Sequence, residues 1–213
     1  MILLCLQSMH ARAQYYGGAD HEDRRFRGGI ILGGIASQVD GDRDGGYGKV
    51  GLHTGVGAIV GINAQISVLV EILYSQKGSR YGRMMEDPAL GPYLTVYQMK
   101  LNYIELPFGI RYNIYPRANI GLGGSYNRLL SSQEYWEPLW GRQYFDADTY
   151  MFNKNSWDAF LSIGYVLGEH WEAGVRYQRS VSPIREAFYA HPDFSDGVPQ
   201  LNNLLVLRLA YYW

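Results

Sequence analysis

The sequence predicts an all-β fold, an eight-stranded antiparallel up-and-down transmembrane β-barrel, and three observations carry that expectation. Along residues 66–78, ISVLVEILYSQKG, the side chains of Ile66, Val68, Val70, Ile72 and Tyr74 fall on one side of an extended chain, with Ser67, Glu71, Ser75 and Lys77 on the other. Side chains alternate faces along a strand, so one face is apolar and the other largely polar. The same alternation recurs to the end of the chain, in segments joined alternately by short and long connections. Finally, the 213 residues contain no apolar run long enough for a transmembrane helix, which needs about 18 or more, whereas a spanning strand needs only roughly 9 to 11.

Taken in order, strands are expected at 28–38, 49–61, 65–77, 97–115, 119–131, 156–167, 170–181 and 200–213. The connections after the second, fourth and sixth are tight: Ile62-Asn63-Ala64, Pro116-Arg117-Ala118 and Gly168-Glu169. Those after the first, third, fifth and seventh, at 39–48, 78–96, 132–155 and 182–199, are long and rich in Gly, Pro, Asp and Tyr. Outer-membrane barrels put short turns in the periplasm and long loops outside, so both termini are expected on the periplasmic side.

Each strand tests the assignment of faces. In the fourth, Ile104, Leu106, Phe108, Ile110, Tyr112 and Ile114 alternate with Glu105, Pro107, Gly109, Arg111 and Asn113. In the seventh, Trp171, Ala173, Val175 and Tyr177 oppose Glu172, Gly174, Arg176 and Gln178, and in the last, Leu205, Leu207, Leu209, Tyr211 and Trp213 oppose a face carrying Arg208. A charge on the lipid face near the midplane costs roughly 2 to 4 kcal/mol, so Glu71, Glu105, Arg111, Asp158, Glu172, Arg176 and Arg208 are expected to point inward. An eight-stranded barrel is only just wide enough for its interior to fill with side chains, which makes these seven charges a mutually neutralising plug. A soluble, lipocalin-like barrel would instead turn the apolar face to a central cavity. The terminal Trp213 and the aromatics near strand ends (Tyr74, Tyr112, Tyr115, Trp157, Tyr165, Trp171, Tyr211) favour the membrane, where they form interfacial girdles.

Composition agrees. With 19 Tyr, 26 Gly and only 18% charged residues the chain suits short strands with aromatic anchors, and a net charge of -1 argues against a nucleic-acid footprint. Residues 1–13 read as the tail of a secretory signal, ending at Ala11-Arg12-Ala13, with the usual positive opening missing, as if the true start lay upstream. Cys5 as a lipoprotein cysteine is disfavoured by the bulky Leu4 before it, and after cleavage no cysteine remains to form a disulfide. Residues 14–27 would then form a polar periplasmic arm, and 28–213 the barrel.

Three segments, 33–42 (GGIASQVDGD), 71–78 (EILYSQKG) and 101–107 (LNYIELP), resemble the PorT-like outer-membrane β-barrel family of Bacteroidetes. That resemblance spans roughly 28–213 and implies an eight-stranded barrel in the outer membrane. One branch of the family serves the type 9 secretion system, so accessory proteins of an envelope or secretion complex are the implied partners, alongside outer-membrane lipid.

Sites are sparse. Asp40, Asp42 and Asp44 match the opening of a D-x-D-x-D-G calcium loop, but Gly51 stands where a bidentate Glu should close it and Arg43 intrudes, so a polar turn is favoured. Histidines lack metal-ligand spacing, and no cofactor is expected. In the long loop 132–155, Trp136, Trp140 and Tyr144 with Arg142 have the composition of a binding hot spot, or they fold over the barrel mouth. The expected function is structural or binding, without catalysis; a barrel enzyme acting on lipid or peptide and a small transport pore are the alternatives.

Overall fold

The computed structural model describes residues 26–43, 45–88, 91–115, 117–138 and 140–213. Among these residues nine strands follow one another: β1 (Phe26–Asp40), β2 (Lys49–Gly61), β3 (Ile66–Asp87), β4 (Gly91–Tyr115), β5 (Ala118–Glu137), β6 (Gln143–Tyr144), β7 (Asn155–Leu167), β8 (Trp171–Ser180) and β9 (Leu201–Tyr212). All pairings between them are antiparallel, and β1 pairs with β9 from Gly29↔Tyr212 to Asp40↔Leu201. Eight strands therefore close into a ring, and β6 is a two-residue addition that pairs with β5. Closure leaves the ring no free edge, the condition for a sheet to sit in hydrocarbon.

The apolar face looks out. Ile110, Ile163 and Leu207 are 60%, 62% and 68% exposed, while Glu105 and Arg176 are both fully buried. Exposed Tyr112, Tyr165, Trp171 and Trp213 ring the end with the short turns, and Trp157 and Tyr177 lie toward the other limit of the apolar band. Inside, one apolar cluster forms around Ile31, Ile59, Leu69, Leu73 and Phe160, and a larger one fills the mouth around Tyr97, Met99, Leu101, Tyr103, Ile184 and Phe194. Gly123 makes room for the first: a Cβ there would lie 2.2 Å from the Phe108 carbonyl oxygen and 2.7 Å from the Phe160 ring.

Several boundaries differ from those expected. β3 and β4 do not stop at 77 and 97 but continue as a hairpin, paired from Gly78↔Lys100 to Asp87↔Gly91, and β5 runs to Glu137 rather than to 131. Above Tyr74 polar residues such as Gln76 and Arg80 join apolar ones such as Met84 on the outward face, so the hydropathy alternation fades although the strands go on. Phe26 and Arg27, assigned to the arm, open β1, and the strand count rises to nine with β6. At the C-terminus β9 ends at Tyr212, and the Trp213 N–H donates to the Gly28 carbonyl at 3.0 Å. The proposed signal segment, 1–13, and most of the arm lie outside the described residues.

Candidate functional site: the charged lumen and its roof

Strand parity brings all seven predicted inward charges into the lumen, where they form two layers. In the layer nearer the short turns, Arg176 Nη1 lies 2.9 Å from Glu71 Oε2, Arg208 Nη2 donates to Glu71 Oε1 at 2.5 Å, and Arg111 Nη2 lies 2.6 Å from Glu172 Oε2. The Arg176 guanidinium also sits 4.1 Å over the Phe160 ring. Between these groups is a cavity of about 30 Å³, lined in part by Glu71, Arg111, Asn119, Glu172 and Arg208. That is room for about two water molecules.

The second layer is centred on Lys77. Its Nζ lies 2.5 Å from Glu105 Oε1 and 2.7 Å from Asp158 Oδ2, with all three side chains out of solvent. Gln178 Nε2 donates to Asp158 Oδ2 at 2.8 Å and Ser180 Oγ to Asp158 Oδ1 at 2.9 Å. Together the two layers hold four cations (Lys77, Arg111, Arg176, Arg208) and four carboxylates (Glu71, Glu105, Asp158, Glu172). Buried charges persist only when paired and hydrogen-bonded, and here the formal charges cancel. Lys77, on the polar side of its strand, joins the seven expected inward charges, and its parity with Glu71 and Ser75 is the sequence signal for it.

Over the lumen lies a roof that sequence reasoning did not foresee. Arg185, from the loop between β8 and β9, is fully buried and donates to both Glu134 oxygens at 2.9 and 3.0 Å and to Gln200 Oε1 at 3.0 Å. Its guanidinium lies 4.0 Å over the Phe152 ring, and the Tyr97 hydroxyl donates to Glu134. Phe194 stacks on Tyr97 with ring centroids 4.8 Å apart and packs against Trp136. Burial, and then the Glu134 carboxylate, push the Tyr97 hydroxyl well above the ordinary tyrosine range. Arg185 sits in an irregular loop, where no periodicity marks a side chain as inward.

The three aromatics of the proposed binding loop do not form one site. Trp136 turns into the roof, whereas Trp140 (59% exposed) and Tyr144 (57%) stay outside, the latter against Tyr135. In the calcium candidate, the Asp40 carboxylate is held by Arg179 at 2.9 Å and by Gln38 at 3.0 Å, Asp42 is buried, and Asp44 lies outside the described residues. Among the described residues no group of three His, Cys, Asp or Glu side chains is arranged to hold a metal. His53 Nδ1 lies 2.8 Å from Ser75 Oγ, deep in the lumen, with the nearby Glu71 already engaged by two arginines.

Comparison with known proteins agrees with this architecture. No curated protein matches the chain. Among solved structures, Ail, the attachment invasion locus protein of Yersinia pestis, is similar at 12% identity and a TM-score of 0.50, covering 88% of this chain and 98% of Ail. Neisserial surface protein A is similar at 9% identity and a TM-score of 0.44, covering 88% and 96% of the two chains. Residues 13–186 match the family described as outer membrane protein beta-barrel domain. A match over that span identifies the chain as a member of the outer membrane protein beta-barrel domain family, located in the outer membrane.

Proposed function

We propose that this is a non-enzymatic barrel with a closed lumen, oriented with both termini in the periplasm, that acts by binding a partner at its long-loop end. The observation that carries this reading is the obstruction of the lumen: two layers of paired charges cross it, and the Arg185–Glu134 clamp holds an aromatic roof above them. A transport pore needs a continuous water path, and the cavity within the lower charge layer has room for about two water molecules. In planar bilayers we expect the protein to produce no conductance steps; steady single-channel steps would overturn the closed-lumen reading.

Catalysis on lipid or peptide would need a nucleophile, a base and an acid within reach of a substrate. Ser75 and His53 do meet, but both are buried among packed side chains, and the nearby acid Glu71 is held by Arg176 and Arg208. The exposed Trp140 and Tyr144, flanking Arg142, supply the aromatic and guanidinium chemistry of binding hot spots. The partner class we assign is an envelope complex, with a secretion complex suggested by the resemblance of segments 33–42, 71–78 and 101–107 to PorT-like barrels. Purification from native membranes in mild detergent tests this: a protein partner lost in a Trp140→Ala/Tyr144→Ala variant supports it, and unchanged recovery of that partner removes these residues from the interface.

A further inference from the structure

Just above the aromatic limit of the apolar band, the outer surface carries cations without a carboxylate partner among the described residues on one side only. On β3, Arg80 follows Tyr74 on the outward face; on β4, Lys100 follows Ile104; on β5, Arg128 follows Tyr126; and Lys154 immediately precedes β7, whose outward Trp157 belongs to the girdle. These strands are contiguous in the ring, in the order β3, β4, β5, β7. Arg80, Arg128 and Lys154 are exposed, and Lys100 is half-buried, its ammonium 5.3 Å from the Tyr135 ring centroid. Among the described residues none of the four forms an ion pair with a carboxylate; Arg128 donates only to Asn155, at 2.7 Å. Their positive field is felt locally, since burial and then the charges of Lys100 and Arg80 hold the Lys49 ammonium below its ordinary range.

The other side of the ring is different. On β8, β9, β1 and β2 the corresponding outward positions are Arg179, Asn203, Gln38 with Asp40, and Val50. Arg179 is the only cation among these five, and Asp40 neutralises it at 2.9 Å. Charge that served only to mark the water boundary would be spread around the barrel. We propose that the sector formed by Arg80, Lys100, Arg128 and Lys154 is a binding site for anionic, phosphate-bearing lipid headgroups of the leaflet at the long-loop end. The cations stand two to six residues beyond the girdle, roughly 5 to 15 Å along the axis of a barrel with the usual strand tilt, which is the depth of a headgroup layer. Lys and Arg reach that layer by laying their stems along the apolar surface.

This inference rests on the membrane placement given above, and its test separates the two. The full chain is reconstituted in phosphatidylcholine, and the association of spin-labelled phosphatidylglycerol is compared with that of spin-labelled phosphatidylcholine. A cation at an anionic surface strengthens local binding about fivefold, so the native protein is expected to prefer the anionic label by about twofold or more when averaged over its perimeter. The substitutions Arg80→Gln, Lys100→Gln, Arg128→Gln and Lys154→Gln together should bring the preference to unity, while Arg179→Gln should leave it unchanged. No preference in the native protein, or the same preference in the fourfold variant, overturns the proposal. Loss of preference on adding millimolar inorganic phosphate at constant ionic strength would assign the sector to soluble phosphate and also overturn it. Failure of even phosphatidylcholine to show a protein-immobilised component would instead reject the membrane placement.

Discussion

Lys77 holds two carboxylates in a space that solvent does not reach. Replacing it by Met leaves Glu105 and Asp158 facing one another without a counter-charge, and breaking a buried pair from one side costs about 3 to 5 kcal/mol. Denaturant unfolding in lipid or detergent should register a loss of that size for Lys77→Met, and a similar one for Arg111→Met, which strands Glu172. The exposed pair of Arg142 and Glu137 makes the contrast: screened by solvent, its removal through Arg142→Gln should leave the unfolding midpoint where it was. Much of this scale was legible in the sequence, because a strand's period of two assigns each charge a face once one lipid-facing residue is known. Lys77 could be read that way from Glu71. Arg185 could not, because its loop has no period and its partner Glu134 lies 51 residues away.

At the level of elements, the roof ties the loop between β8 and β9 to the upper parts of β4 and β5. The clamp is a bidentate guanidinium on a carboxylate, so Arg185→Ala should release the loop without opening the ring. Limited proteolysis of the reconstituted protein should then cleave within 182–200 many times faster than in the native chain, while the heat-dependent gel mobility of a closed barrel is retained. Alkali probes the same clamp. The Tyr97 hydroxyl is raised above its unfolded value, so the stability it contributes is fully present below about pH 10 and is lost as pH rises toward the folded-state value. In an absorbance titration, Tyr97 should ionise well above the ordinary tyrosine value of about 10, and Tyr97→Phe should lower the late amplitude by one tyrosine. The extensions 78–87, 91–96 and 132–137 escaped the sequence reading for a related reason: beyond the girdle polar and apolar residues mix on each face, as on β3, where Arg80 shares the outward face with Met84 and Arg83 the inward face with Tyr81, and the contrast that marks a strand is lost.

For the whole molecule, the decisive property is inversion. Oily side chains such as Ile110, Ile163 and Leu207 form the outer surface, and four cations and four carboxylates neutralise one another within it. In water such a surface would be an aggregation liability; in hydrocarbon it is the surface that the solvent requires, with every strand paired around the ring. Sequence alone reached this arrangement because lipid imposes one rule on every strand, whereas nothing so uniform governs the loops. The most direct test places a nitroxide at Ile110, Ile163 and Leu207 in turn, with Cys5 replaced by Ser, in reconstituted protein. Lipid-facing positions should give mobile labels with high oxygen collision and almost no access for a water-soluble nickel chelate. Labels immobilised in a packed interior, or freely reached by the nickel chelate, would contradict it.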